Sequence, residues 1–155
     1  MIAGTNDIRI DNDDGPGFDV KIRLGKLDDL PFVRNSWTLG METQYPNMHA
    51  LDFRKRFHEF LTGLIEKSTV LIAHLDDDED EILSYLVYTS FRDMLVIHYA
   101  YTKEDARKQG IVSDLMKFAN VNDYPVVFTH ASRNPNRMKK FCMKYIFDPG
   151  VLQLL

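Results

Sequence analysis

The chain has 155 residues, of which 45% are hydrophobic, 12% aromatic and 27% charged. These proportions exclude a disordered, collagenous or low-complexity chain and predict one globular domain that needs no staples. A single cysteine excludes an internal disulfide, and a net charge of −4 argues against general affinity for nucleic acid.

The charge is uneven along the chain. Residues 1–100 carry ten Lys/Arg against eighteen Asp/Glu, and residues 101–155 carry nine against five. The C-terminal third is therefore net positive, which suits either an anionic ligand or chance spread around one acidic run. The longest aliphatic run, Val70 to Ala73, falls far short of the ~20 residues of a membrane-spanning helix. Met1 to Asp14 is acidic and lacks a basic-then-apolar targeting pattern. The expectation is a cytoplasmic protein with no nucleic-acid or membrane partner.

Residues 1–17 contain Asp11-Asn12-Asp13-Asp14-Gly15-Pro16-Gly17 and read as a flexible N-terminal segment, with a single domain over 18–155. The clustered carboxylates lack the Gly and Glu spacing of a calcium loop, so no metal is expected there. Asp19 to Leu24 alternates and predicts a strand. Asp28 is placed to cap a helix with Pro31 in its first turn, carrying Leu30, Val33, Trp37 and Met41 on one face. Leu39 to Leu51, with Gly40, Tyr45, Pro46 and Asn47, reads as a loop. Asp52 then starts a second helix whose Phe53, Phe57, Phe60, Leu61 and Leu64 form an apolar stripe.

Thr69 to Leu75 predicts a strand, Asp76 to Glu81 a solvated turn, and Ile82 to Phe91 a returning strand. Arg92-Asp93 is a tight connection into Met94 to Thr102, which completes an antiparallel meander. A helix is predicted from about Arg107 to Asn120, a strand over Val126 to Ala131, and a last helix over Asn136 to Tyr145. Ile146-Phe147 can start a short strand that Pro149-Gly150 stops. The order β-α-α-β-β-β-α-β-α-β predicts an α/β (α+β) mixed sheet with helices on both faces. The unit from Val96 through Val127 should be a right-handed crossover between parallel strands.

One segment carries chemistry. Val96 to Ser113 reads as strand, short polar loop, then Gly110 at the first turn of a helix. That arrangement aims free backbone N–H groups and a helix dipole at one spot suited to phosphate. Gly110 removes a side chain where oxygens must approach, and Arg107 and Lys108 add positive charge. Neither a Walker loop nor a three-glycine dinucleotide fingerprint is present.

Arg107-x-x-Gly110-x-Val112, between the fourth strand of the predicted order and the helix after it, resembles the central signature of the GNAT N-acetyltransferases. The likeness covers roughly residues 19–148. The spelling His98-Tyr99-Ala100-Tyr101-Thr102-Lys103, followed by Arg107 and Gly110-Ile111, is most similar to small acetyltransferase-like proteins of phages and prophages. The resemblance implies a GNAT-like fold and direct transfer of acetyl from acetyl-CoA to an amine on a small molecule or protein. It implies that Arg107, Lys108, Gln109, Gly110, Ile111, Val112 and Ser113 hold the pyrophosphate. It also implies that Ala100, Tyr101 and Thr102 present backbone groups to the pantetheine arm and thioester.

His98 is the first candidate for the base, since many GNATs carry an acidic residue there; a hydrogen-bonded structural histidine is the alternative. His130 is the second. His49, His58 and His74 are expected in surface or packing roles. Glu42 and Tyr45 should wall the acceptor pocket. Two departures stand out: Val112 replaces a small residue, and Cys142 stands where many GNATs carry a tyrosine acid. They leave open a second reading, a catalytically degenerate binding or virion-associated module of the same fold. Monomer and homodimer are both open.

Overall fold

The computed structural model describes residues 8–10, 19–43, 50–130 and 145–155. Seven strands form one sheet whose spatial order follows the chain. They are β1 (Ile8–Ile10), β2 (Val20–Leu24), β3 (Thr69–Leu75), β4 (Asp78–Phe91), β5 (Met94–Thr102), β6 (Val126–Phe128) and β7 (Tyr145–Phe147). The first five are antiparallel, while β5–β6 and β6–β7 are parallel. Helices α1 (Leu30–Glu42) and α2 (Ala50–Glu66) pack on one face, and α3 (Ile111–Phe118) packs on the other. Among the described residues no helix is long and apolar enough to cross a membrane.

The two-residue period of the strands builds both faces. Leu71 and Ala73 of β3 join Ile111, Leu115 and Met116 of α3 in one cluster. Val70 and Ile72 join Val33, Trp37 and Met41 of α1 and Leu61, Leu64 and Ile65 of α2 in the other. On α1 the spacing of Val33, Trp37 and Met41 is one helical repeat each, as the sequence predicts. Every such fully buried side chain contributes about 1.5–3 kcal/mol of transfer free energy.

Several boundaries differ from the sequence expectation. Residues 8–10 pair with β2, so part of the expected N-terminal loop is an edge strand. Helix α1 runs through Gly40 to Glu42, where a loop was expected from Leu39. The helix begins after a 3-10 turn, Leu27–Asp29, and Asp29 rather than Asp28 closes that turn by accepting the Lys26 backbone N–H at 2.6 Å. Asp29 also accepts two hydrogen bonds from Arg23, at 2.6 and 2.9 Å.

The acidic turn shrinks to two residues, and β4 begins at Asp78 instead of Ile82. Carboxylates enter the strand because cations meet them: Lys26 pairs with Glu79 and Lys103 with Glu81. Helix α3 starts at Ile111 and β6 ends at Phe128, both shorter than expected. The expected last helix over 136–145, with Cys142, lies outside the described residues except for Tyr145, which opens β7. Tyr45 and His49 also lie outside them.

Candidate functional site

The site forms where β5 and β6 part. Their parallel pairing covers only Leu95–Ile97 against Val126–Phe128. The last backbone rung is Thr129 N–H to Ile97 O at 3.1 Å. Beyond it, among the described residues, β5 runs on to Thr102 along β4 alone.

A β-bulge sits at the parting point. Tyr88 of β4 pairs with Ile97 and Val87 with Tyr99, so His98 is the extra residue. The bulge resets which side chains face which helix layer. Ile97 and Ala100 pack toward α3, while Tyr99 and Tyr101 pack toward α1 and α2. It also sets the backbone. Lys103 N–H donates to Leu83 O on β4 at 2.8 Å. Strand alternation then aims Tyr99 and Tyr101 backbone groups at β4, and those of Ala100 and Thr102 into the gap. Thr102 O there accepts from Arg107 Nε at 3.3 Å.

The bulge carbonyl of His98 accepts a hydrogen bond from His130 Nδ1 at 2.9 Å. A carbonyl only accepts, so the His130 proton sits on Nδ1 and the lone pair on Nε2. His130 is half-buried, and burial lowers its pKa below the usual value against the opposing effect of that hydrogen bond. Its ring meets the Trp37 indole edge-on at 6.0 Å, and Trp37 stacks on Tyr99 at 4.8 Å. Trp37 is fully buried and its indole N–H has no hydrogen-bond partner among the described residues.

His98 has a different setting. It is 1% exposed, with Nε2 2.9 Å from Thr89 Oγ1 and Nδ1 3.4 Å from Thr129 Oγ1. Burial, helped by nearby His130, pushes its pKa down to about 4. Both ring nitrogens are engaged, and the ring is sealed from a substrate.

The loop from β5 to α3 is a concave stretch of backbone. Lys108 and Gly110 both take left-handed φ, 67° and 77°. Gly110 caps α3 without any side-chain bond, leaving the N–H groups of Ile111, Val112 and Ser113 as the first-turn donors. A Cβ built at Gly110 would have no neighbour within 4 Å among the described residues, which leave the space over the loop open. Arg107 and Lys108 are exposed beside it, and Gln109 is half-buried. Val112 packs against the α3-side core, as does Ala100, and this accommodates the larger residue. Open space, free donors and two cations fit a pyrophosphate.

One other expectation changes, and His74 keeps the packing role expected of it. Glu42 is tied to Arg54 of α2 through Nε and, at 3.1 Å, Nη2, so its carboxylate is not free to meet an incoming amine. His74 is buried and bonded to its neighbour's carbonyl, Leu75 O, at 2.7 Å. A separate cleft of about 430 Å³ is lined by Asp28, Asp29, Asp80, Glu81 and Lys103 with Phe32 and Ile82. Its lysine is paired with Glu81, so it offers nothing to an anionic ligand. Sequence reasoning missed the bulge, the Trp37–Tyr99 stack and the threonines around His98. None of these has a signal in residue type alone.

No protein-family model matches the chain. No curated protein matches it. Solved structures share its fold at low identity. One is a possible acetyltransferase from Clostridium difficile 630, 18% identical, with TM-score 0.55 over 79% of this chain and 86% of that one. Another is a predicted acetyltransferase from Clostridium acetobutylicum with acetyl-CoA, 14% identical, with TM-score 0.52 over 78% and 86%. A third is an N-acetyltransferase from Thermoplasma acidophilum in complex with coenzyme A, 14% identical, with TM-score 0.50 over 66% and 70%. The fold is that of the GNAT acetyltransferases.

Proposed function

We propose that the chain is an acetyl-CoA-dependent N-acetyltransferase with His130 as its base. The observation that carries this reading is the His130 ring, bonded to the bulge carbonyl of His98 at 2.9 Å where β5 and β6 separate. The shared fold and the open loop before α3 support it.

Acetyl-CoA, when bound, supplies an activated thioester. Arg107, Lys108 and the first-turn N–H groups of Ile111, Val112 and Ser113 hold its pyrophosphate, and Gly110 leaves room for the oxygens. Gln109 shapes the loop between them. Backbone groups of Ala100 and Thr102 face the gap and bind the pantetheine arm. A backbone N–H there also donates to the thioester oxygen as charge builds on it. The Tyr101 ring stacks on Tyr85 at 5.3 Å and stiffens this stretch of β5.

His130 takes the ammonium proton at Nε2. Its lowered pKa keeps it neutral at pH 7, and the His98 carbonyl fixes the tautomer that leaves Nε2 free. His98, sealed between threonines, serves the base instead of being it. A phage or prophage origin, a cytoplasmic location and an amine on a small molecule or protein complete the proposal.

The test is acetyl-CoA turnover against small amines and peptides with free N-termini. His130→Gln should lower kcat by about 10² or more, the usual worth of a general base, while acetyl-CoA affinity stays unchanged. Acetyl-CoA binding without turnover of any amine would favour the degenerate binding module. A full-rate His130→Gln would remove His130 from the base role.

A further inference from the structure

Five side chains form a continuous hydrogen-bonded line through the sheet. His130 Nδ1 lies 2.8 Å from Thr129 Oγ1, and Thr129 Oγ1 lies 3.4 Å from His98 Nδ1. His98 Nε2 lies 2.9 Å from Thr89 Oγ1, which lies 3.1 Å from Ser68 Oγ. Ser68 donates to Leu64 O at 2.7 Å. The middle is sealed, with His98 1% and Thr129 3% exposed. The two ends, His130 on one side and Thr89 with Ser68 on the other, are each half-buried.

The protons in this line can be placed one by one. The Leu64 carbonyl only accepts, so the Ser68 hydroxyl donates to it. Ser68 must then accept from Thr89, and Thr89 from His98 Nε2–H. A neutral His98 with its proton on Nε2 has its lone pair on Nδ1, which accepts from the Thr129 hydroxyl at 3.4 Å; the Ile97 carbonyl, 3.5 Å from the same oxygen, is the alternative acceptor to which that hydroxyl rotates. Thr129 in turn accepts from His130 Nδ1–H, the same proton that the His98 carbonyl requires. Every donor points away from the parting of β5 and β6.

We propose that this line is the exit for the proton that His130 removes from the acceptor amine. It rests on the acetyl-transfer reading for its purpose, though not for its test. One proton enters at His130 Nε2. His130 passes its Nδ1 proton to Thr129, Thr129 passes its own to His98 Nδ1, and His98 passes its Nε2 proton to Thr89. Thr89 passes one to Ser68, which releases one to solvent beside the C-terminal end of α2. Each group ends with the number of protons it began with; the two rings have exchanged nitrogens, His130 gaining at Nε2 what it lost at Nδ1 and His98 gaining at Nδ1 what it lost at Nε2. Rotation of the hydroxyls and a half-turn of each ring reset the line. Thr129, His98, Thr89 and Ser68 are thus relay residues, and none of them touches the amine.

The line can be read in the protein alone. Nitrogen-15-labelled histidine reports exchange of the buried His98 Nε2–H with water by NMR. The reference is the backbone N–H of Leu95, held by Pro125 O at 2.9 Å in the same strand. A working relay makes the ring proton exchange at least tenfold faster than that amide. Thr89→Val, which keeps the shape and removes the hydroxyl, should slow ring exchange at least tenfold, and Thr89→Ser should restore it. Exchange as slow as the Leu95 amide in the unmutated protein would overturn the proposal without any variant. So would a Thr89→Val protein that exchanges like the unmutated one, or a Thr89→Ser protein as slow as Thr89→Val. Failure of acetyl-CoA to bind would overturn the acetyl-transfer reading and leave the exchange result standing.

Discussion

Acidification should weaken this fold through His98. The imidazole is 1% exposed and enclosed by the hydroxyls of Thr89 and Thr129. Burial first, and then the neighbouring His130, bring its pKa from 6.5 down to about 4. The unfolded chain takes up a proton at this ring as pH falls below its ordinary pKa, and the folded chain does not until far lower pH. Stability from this group is therefore whole above pH 6.5 and is lost as pH falls toward 4. Between pH 7 and pH 5 the linkage relation gives a loss of about 2 kcal/mol. That corresponds to roughly 4–8 °C in Tm for a chain of this length. Urea unfolding at the two pH values measures it, with His98→Gln as the comparison. Gln can still hydrogen-bond Thr89 but has no proton to gain. The variant should be less stable at pH 7, yet its further loss at pH 5 should be smaller than that of the unmutated protein by about 2 kcal/mol. Carboxylates common to both proteins cancel. Equal pH dependence in the two would refute the reasoning.

Three further outcomes are expected. A Cβ at Gly40 would collide with the Tyr99 hydroxyl, and the Tyr99 ring is pinned against Trp37. Gly40→Ala should therefore cost about 1–3 kcal/mol, and adding Tyr99→Phe should recover part of it in a double-mutant cycle. Asp29→Ala would take the carboxylate from the Arg23 guanidinium, whose side chain is 9% exposed, leaving it the Glu79 and Leu24 carbonyls. Chemical unfolding should show a loss of about 3–5 kcal/mol; a loss below 1 kcal/mol, the size of an exposed pair, would contradict that burial. The pH profile of kcat/KM should have its acid limb below 6.5, because His130 must be neutral to act and its pKa is lowered. A limb above 6.5 would point to another base.

The meander, the two helical layers and the crossover into the strand at Val126 were legible because hydrophobic period decides them. Val33, Trp37 and Met41, or Ile111 and Leu115, need only one face to bury, and the sequence states that face directly. Arg107-x-x-Gly110 was legible too, since only a residue tolerant of φ 77° suits that cap. What the sequence hid depends on distant partners. Gly40 reads as a loop breaker, but its missing side chain makes room for Tyr99, 59 positions away in the chain. Asp78 to Glu81 reads as a turn, but Lys26 and Lys103 draw those carboxylates into a strand. The bulge at His98 is an extra residue in a register, and register is a property of two strands. It places His98, which the sequence leaves as either a candidate base or a hydrogen-bonded structural histidine, in the sealed core and brings its carbonyl to His130.

The most direct test of the central claim is thermal unfolding with millimolar acetyl-CoA, with ATP and NAD as controls. A ligand at a hundredfold above its Kd stabilises the native state by about 2.7 kcal/mol, a rise of several degrees at this length. The account predicts a rise specific to acetyl-CoA, and its loss in Gly110→Asp, where a carboxylate would enter the space open above the loop. No rise with acetyl-CoA, or an equal rise in Gly110→Asp, would contradict it.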